Sequence, residues 1–198
     1  MKKAMIFKTR SEARKMAPLH IKMKEKGIDV KVIDTAQHRE MLDQVLELFE
    51  IALDYDLNIM AKNQTLPQVI SELITKIGKF DCALVEGDTT STFVGSLAVF
   101  YNKIPVGHGE AGLRTNNICN PFPEEMNRRL TGTIGLHHFA STQKVKEYTE
   151  GKNTLVAGNM VIDALLWVKQ TKRYRKYNVK DKKYMFVTMH REKTGENQ

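Results

Sequence analysis

Long hydrophobic runs are missing from this sequence of 198 residues. No apolar stretch approaches the roughly 20 residues that a transmembrane helix needs, so we expect no membrane association. The N-terminus is basic and then apolar, but its apolar part ends at Lys8, which is too short for the core of a signal peptide. The only two cysteines, Cys82 and Cys119, form no disulfide framework, and a reduced, cytoplasmic setting is therefore expected.

Two signatures of bound cofactors are also missing. No G-x-G-x-x-G segment follows the first predicted strand, so a dinucleotide site of that kind has no local support. No cysteine and histidine spacing is typical of a metal site. We therefore expect neither a metal nor an organic cofactor.

Acidic residues are scarce in one segment, and this explains the net charge of +8. Eight bases face the single acid Asp181 between Lys169 and Lys183, so residues 1–168 carry a net charge of only +1. Tyr174 and Tyr177 are the only aromatic residues there that could stack on bases. We interpret residues 168–183 as a solvated basic linker and expect no nucleic-acid partner; nucleic-acid binding is the weaker alternative.

Short apolar segments alternate with amphipathic helical patterns along most of the chain. The predicted strands are Ala4–Phe7, Val30–Ile33, Cys82–Val85, Ile104–Val106, His138–Ala140 and Leu155–Ala157, and residues 54–59 are expected to be an irregular connection. Alternation of this kind predicts an α/β domain over residues 1–167, with a Rossmann-like, doubly wound parallel sheet and helices on both faces. Trp167 is interpreted as core or inter-domain packing.

Acids and bases are concentrated between Ala83 and Arg129. Asp88 stands where a buried strand turns into a helix, Glu110 follows the next strand, and Glu124 opens another helix. Because ligands bind at the carboxyl edge of an open parallel sheet, we expect these three carboxylates to lie together there. Carboxylates gathered with His108 and Arg128 at one sheet edge would suit proton-transfer chemistry.

Each of these acids also has a purely structural interpretation. Asp88 could cap a helix by accepting a backbone N–H. Glu124 and Glu125 lie four residues before Arg128 and Arg129, a spacing typical of ion pairs on a helix surface. For any one residue alone the structural interpretation is favoured, and only the combination points to chemistry.

The order of these motifs resembles the non-hydrolysing UDP-N-acetylglucosamine 2-epimerase family. The family patterns GDTT, HVEAGLRT and SP(W/F)PEE.NR.LTG are matched by Gly87–Thr90, His108–Thr115 and Asn120–Gly132. Further matches lie at residues 9–13, 15–19, 35–39 and 158–165, so the resemblance runs nearly end to end. The chain departs from the pattern at several positions, among them Lys8 for glycine, Glu86 for histidine and Gly109 for valine.

The resemblance implies a two-domain architecture of the glycosyltransferase-B type, with the active site in the cleft between two Rossmann-like domains. It implies that residues 1–167 are the first domain and that Tyr184–Gln198, with a strand at Tyr184–Thr188, opens a second domain that is truncated here. The implied partners are UDP-N-acetylglucosamine and either a second copy of the chain or a separate second-domain polypeptide.

The reaction implied by the resemblance is reversible loss of UDP from UDP-N-acetylglucosamine, followed by re-addition with C2 inverted. By motif position the catalytic residues would be Asp88, Glu110, Glu124 and His190, and the substrate-binding residues Arg10, Lys15, His108 and Arg128. Gln37, His38 and Arg39 would belong to a second, regulatory substrate site, although a surface or capping role is the default for His38.

Two hypotheses about function follow from the sequence. In the first, the chain is a 2-epimerase whose isolated activity is impaired, because a cleft with one wall cannot enclose a nucleotide sugar. In the second, it is a truncated relative that binds nucleotide sugar or assembles with a partner without catalysing a reaction. Glu86 adds a third acid near Asp88, and would raise a carboxyl pKa if the two side chains faced each other.

Overall fold

A computed structural model describes residues 2–35, 39–57, 66–149, 153–173, 185 and 187, with the backbone alone at 39–41, 66 and 69. The strands are β1 (Lys2–Phe7), β2 (Asp29–Asp34), β3 (Tyr55–Asp56), β4 (Cys82–Glu86), β5 (Val106–Gly109), β6 (His137–Ala140) and β7 (Asn153–Val156). The helices are α1 (Arg10–Glu25), α2 (Arg39–Phe49), α3 (Leu66–Lys76), α4 (Thr90–Tyr101), α5 (Glu124–Ile134), α6 (Gln143–Lys146) and α7 (Met160–Thr171). A 3₁₀ turn at Glu147–Thr149 follows α6.

The strands form one parallel sheet in the order β3-β2-β1-β4-β5-β6-β7. The chain starts in the middle, winds outward to β3, and then returns past β1 to build the other half. The predicted Rossmann-like, doubly wound fold is confirmed. β1 and β4 are adjacent in the sheet, but the chain continues from them into opposite halves of it. The loops after these two strands therefore flank the point at which ligands bind in such folds.

Two hydrophobic cores lie on the two faces of the sheet. Alternation along β1 divides the strand between them: Met5 and Phe7 pack in one core, and Ala4 and Ile6 pack in the other. The first core is covered by α1, α2 and α7, and the second by α3 and α4. Trp167 of α7 stacks on Phe49 of α2 with ring centroids 4.9 Å apart, so it packs within the domain.

Two predictions about the strands were wrong. β5 runs from Val106 to Gly109 rather than from Ile104 to Val106, because this central strand is built from buried polar and glycine residues that do not read as an apolar run. Tyr55–Asp56, expected to be irregular, pairs in parallel with β2 as a two-residue edge strand. α7 runs to Thr171, so its last four residues fall within the segment interpreted as a basic linker, and the domain boundary at Trp167 stays a prediction.

Some sequence predictions lie outside the described residues. They include Gln37 and His38 of the predicted regulatory site, His190, and most of the strand predicted at Tyr184–Thr188. For Arg39 the backbone begins α2 and the side chain is not described. The roles assigned to these residues stay predictions.

A buried carboxylate, that of Glu12, ties together the loops that follow β1 and β4. One oxygen accepts the backbone N–H groups of Lys8 and Thr9 at 2.9 and 2.7 Å. The other accepts the hydroxyl groups of Thr89 and Thr92, at the start of α4. Because Glu12 is only 3% exposed, these four donors replace the water that an ionised carboxylate would otherwise need.

We predict that Glu12→Gln lowers the free energy of unfolding by about 2–4 kcal/mol. The amide N–H₂ group cannot accept the hydrogen bonds that one of the two carboxylate oxygens accepts in the wild type. Glu25→Gln is the matched control on the same helix, since Glu25 is exposed and pairs with the exposed Lys22. It should change stability by less than about 0.5 kcal/mol. Urea denaturation of both variants measures the difference, and equal stabilities would contradict the role assigned to Glu12.

Candidate active site

Asp88 lies directly after β4, at the carboxyl edge of the sheet, and it does not cap the following helix. The cap of α4 is Thr89, whose side chain accepts the backbone N–H of Thr92. The Asp88 carboxylate instead forms an ion pair with the Arg128 guanidinium of α5. Asn127 docks the same helix on this loop by donating to the Asp88 carbonyl oxygen at 3.1 Å. The capping interpretation of Asp88 is therefore wrong, and α5 is fixed to the Asp88 loop by two neighbouring side chains.

The surroundings of Asp88 shift its pKa upward. Burial raises the pKa of the Asp88 carboxyl, and the ion pair with Arg128 opposes this by favouring the charged form. The negative charges of Glu110 and Glu124 then add to the effect of burial, and the net direction is upward. A carboxyl group held with its pKa above the ordinary range is suited to exchange protons nearer neutral pH.

Glu110 follows β5 with a left-handed backbone conformation, φ +57°. A residue with a Cβ adopts this conformation at a cost of about 1 kcal/mol. Its carboxylate accepts a hydrogen bond from Lys15 Nζ at 2.6 Å. A Cβ added to Gly87 would lie 3.7 Å from the same carboxylate, so Glu110 and the loop after β4 are in contact.

Glu124 and Glu125 open α5 but have different environments. Glu125 is fully buried and accepts the Thr115 backbone N–H and Arg129 Nε, each at 3.0 Å, and Arg128 at 3.3 Å. Burial raises the pKa of Glu125, but these hydrogen bonds and charges outweigh it and the net pKa is lowered. The ion-pair interpretation holds for Glu125 and Arg129. Glu124 does not pair with Arg128, and its buried Oε2 has no hydrogen-bond partner among the described residues.

The three predicted carboxylates are thus brought to one edge of the sheet. Asp88, Glu110 and Glu124 come from the loops after β4 and β5 and from the start of α5, and the charges of the other two act on Asp88. Their counter-ions are Arg128 on one side and Lys15 on the other. Carboxyl groups with different partners beside two cations form an arrangement suited to removing and returning a proton.

His108 is fully buried within β5 and does not line the surface of this site. Its Nε2 lies 2.8 Å from the carbonyl oxygen of Gly87; since a carbonyl only accepts, this nitrogen must donate. Burial lowers the pKa of His108 to about 4, against the favourable hydrogen bond to Gly87. The neutral ring therefore holds the Gly87–Asp88 loop in place, and contact with a substrate stays a prediction.

The sequence reasoning did not find the ion-pair cluster around Lys15. Nζ of Lys15 lies 3.1 Å from Glu86 Oε1 as well as 2.6 Å from Glu110 Oε2. Burial lowers the pKa of Lys15, but the two carboxylates outweigh it and the net pKa is raised. Glu86 faces Lys15 and Glu110 rather than Asp88. A signal in the sequence was the alternation along β4, because Glu86 lies on the same face as Leu84, and Leu84 packs against the core that α1 covers.

Arg10 and a mostly apolar cavity lie beside the residues described so far. Arg10 is exposed at the first turn of α1, directly after the β1 loop. A cavity of about 650 Å³ opens beside Glu110 between α1 and α7, and its lining is mostly apolar. Within the described part of the chain, no group of three or more potential metal ligands is found. In the same part of the chain, no helix is long and apolar enough to cross a membrane.

Comparison of the sequence with known families places this chain in a defined class of proteins. Residues 21–198 match the family described as UDP-N-acetylglucosamine 2-epimerase. A UDP-N-acetylglucosamine 2-epimerase from Neisseria meningitidis serogroup A is 53% identical over 178 residues, which are 84% of this chain and 48% of that protein. A putative UDP-N-acetylglucosamine 2-epimerase from Thermotoga maritima is 48% identical over 94% of this chain and 54% of its own length.

Solved structures give the same result. The crystal structure of the N. meningitidis enzyme bound to UDP-GlcNAc superposes with a TM-score of 0.80 and 49% identity, covering 89% of this chain and 52% of that one. The Methanocaldococcus jannaschii enzyme in complex with UDP-GlcNAc and UDP gives 0.78 and 30% identity, covering 89% and 53%. The chain belongs to the UDP-N-acetylglucosamine 2-epimerase family. It spans about half the length of the relatives it matches.

We predict that the buried, neutral His108 makes stability depend on pH. Between its unfolded value near 6.5 and its folded pKa of about 4, the unfolded chain binds a proton that the folded chain does not. The free energy of unfolding should therefore fall as the pH is lowered through this window, by about 3 kcal/mol at most from this group. His108→Gln, which can still donate to Gly87, should flatten the dependence.

The control for this prediction is His137→Gln. His137 precedes His138 on the neighbouring strand β6 and is exposed. Urea denaturation of the wild type and both variants at several pH values between 4 and 7 gives the slopes. A slope in His108→Gln as steep as in the wild type would show that His108 is not the group responsible.

Proposed function

We propose that this chain forms the acid–base wall of a UDP-N-acetylglucosamine 2-epimerase that interconverts UDP-N-acetylglucosamine and UDP-N-acetylmannosamine. The observation that carries the proposal is the gathering of Asp88, Glu110 and Glu124 at one sheet edge with different contacts. Asp88 pairs with Arg128 and Glu110 with Lys15, and the buried Oε2 of Glu124 has no hydrogen-bond partner among the described residues. Family membership and the nucleotide sugar bound by the N. meningitidis relative support it.

The proposed reaction needs two proton transfers at C2 on opposite faces of the sugar. A carboxylate removes the C2 proton, the C1–O bond to UDP breaks, and a double bond forms between C1 and C2. UDP oxygen then re-forms the bond to C1 while a second acid delivers a proton to the other face of C2. One group must start ionised and another neutral, as environments that push carboxyl pKa values apart allow.

The contacts suggest how the roles are divided. Glu124 has an oxygen without a partner among the described residues, so we assign it the first proton transfer. Asp88, whose pKa is raised, would hold the proton for the second transfer. Glu110, with Lys15, would stabilise charge and orient the sugar. His190 would assist as the resemblance implies, and His108 would act only by holding the Gly87 loop.

Cations at the same edge would bind the diphosphate. Arg10 opens α1, so its guanidinium lies at the N-terminal end of that helix, where the helix dipole favours an anion. Arg128 is engaged by Asp88 and would stabilise the developing negative charge after the proton leaves. Uridine contacts are not assigned to residues of this chain.

Deuterium exchange at C2 tests the proposal directly. UDP-N-acetylglucosamine is incubated in deuterated water with this chain alone, and with the chain mixed with the C-terminal half of the N. meningitidis relative. We expect little exchange from the chain alone, because one wall positions the substrate incompletely. The mixture should show exchange and inversion by NMR. Binding without exchange in either sample would refute catalysis and favour a non-catalytic relative.

Glu124→Gln should lower the exchange rate of the mixture by about 100-fold or more, the usual contribution of one positioned acid or base. The control is Glu72→Gln, since Glu72 lies half-exposed on α3, away from the sheet edge, and pairs with Lys76. It should leave the rate unchanged. Equal rates in Glu124→Gln and the wild type would remove Glu124 from the reaction.

We further predict that Arg10→Met weakens binding of UDP by about 10-fold, the value of one charge-assisted hydrogen bond. Arg14→Met is the control, because Arg14 is exposed one helical turn further from the sheet edge. Isothermal titration calorimetry at constant ionic strength compares the two variants. Similar affinity in both would mean that Arg10 makes no specific contact with the diphosphate.

A further inference from the structure

The mechanism proposed above does not use Glu86, although it is among the most buried charged residues of the described chain. It is the last residue of β4, two residues before Asp88, and only 2% exposed. A carboxyl group is rarely buried to this extent without a defined partner. Its partner here is Lys15, which also holds Glu110.

The carboxylates of Glu86 and Glu110 share a single ammonium group, that of Lys15. Lys15 Nζ lies 2.6 Å from Glu110 Oε2 and 3.1 Å from Glu86 Oε1, so its shorter contact is with Glu110. With all three groups ionised the cluster carries a net charge of −1 in a mostly buried position. A proton on Glu86 would make the cluster neutral, and Lys15 would then pair with Glu110 alone.

The backbone of β5 is built to admit the Glu86 side chain. Gly109 pairs with Glu86 across the sheet. A Cβ at Gly109 would lie 3.4 Å from Glu86 Cγ and 3.1 Å from Cε of Met160 on α7. A larger residue at this position would press on Glu86 and on Met160, so the absence of a side chain at Gly109 sets the space that Glu86 occupies.

The charged neighbours of Glu86 favour its neutral form. Burial raises the pKa of Glu86 to about 8, and the charge of Glu110 adds to this while Lys15 opposes it. Glu12, on the same face of α1 as Lys15, contributes a smaller effect in the raising direction. From α7 the neighbour at Gly109 is the apolar Met160, and Asp163 lines the adjoining cavity together with Glu110.

We propose that Glu86 is a positioning residue that controls Glu110 through Lys15. When Glu86 carries a proton, Lys15 is fully available to hold Glu110 in its ionised form. When Glu86 loses the proton, the two carboxylates compete for one ammonium group and the Glu110 side chain is held less firmly. The proposal rests on the proposed function only in giving Glu110 a role at the sugar; the coupling itself is a property of the folded chain.

The test is a pH titration of the full chain with ¹³C-labelled glutamate carboxyl groups, followed by NMR. The signal that disappears in Glu86→Gln should have its midpoint near pH 8 in the wild type. The Glu110 signal, identified by its loss in Glu110→Gln, should show a step at that same pH. The step should be absent in Glu86→Gln and retained in Glu72→Gln.

Two results would overturn the proposal. One is a Glu86 signal that titrates between pH 4 and 5, as an ordinary glutamate does. The other is a Glu110 step near pH 8 that persists in Glu86→Gln. A merely structural role for Glu86 would change stability in Glu86→Gln without producing a shared step in the wild type, so the titration separates the two.

Two further variants keep the test informative if Glu86→Gln folds poorly. Lys15→Met should raise the Glu86 midpoint, because the shared cation that favours the charged form of Glu86 is gone. Gly109→Ala should shift the Glu86 midpoint without removing any charged group. An unchanged Glu86 midpoint in both variants would contradict the proposal. No nucleotide sugar is needed, so a chain that fails the deuterium-exchange experiment can still pass this one.

Discussion

The buried carboxylate of Glu12 is the contact on which the site depends most. It joins the loop after β1 to the start of α4, and these two loops leave adjacent strands at the centre of the sheet. Asp88 directly precedes Thr89, which is one of the partners of Glu12. Lys15 lies one helical turn after Glu12 on α1. Because an ionised carboxylate must be fully hydrogen-bonded when buried, the loops are held at a fixed distance. The fixed distance between the two loops determines the positions of the acids at this edge of the sheet.

Charge balance is the second organising constraint. Two cations, Lys15 and Arg128, are shared among more carboxylates than they can neutralise, and burial makes the excess costly. Burial and this excess of negative charge raise the pKa of Asp88 and of Glu86, whereas the pKa of Glu125, which also pairs with Arg129, is lowered. Acids that differ in this way within one cluster are what a reversible proton transfer requires.

Much of the fold could be predicted from the sequence, because alternation of short apolar strands with amphipathic helices is local and periodic. The predictions were wrong where a strand lacked that signal: β5 is made of Val106, two glycines and His108, and its burial comes from its central place in the sheet. Asp88, Glu110 and Glu124 could be placed together because each follows a strand or opens a helix. Their individual partners could not be predicted, since those partners come from sequence positions 40 to 95 residues away.

The sequence by itself determined the family, the parallel α/β class and the set of acids and bases, because these depend on motif order and local periodicity. Only the tertiary structure decided which of these acids have similar surroundings and partners and which do not. Glu124 and Glu125 are neighbours in the chain, yet one is fully paired and the other keeps an oxygen without a partner in the described structure. Glu86, an ordinary strand-end residue in sequence, shares Lys15 with Glu110. Ionisation follows burial and the distance to other charges, and both are fixed only when the chain has folded.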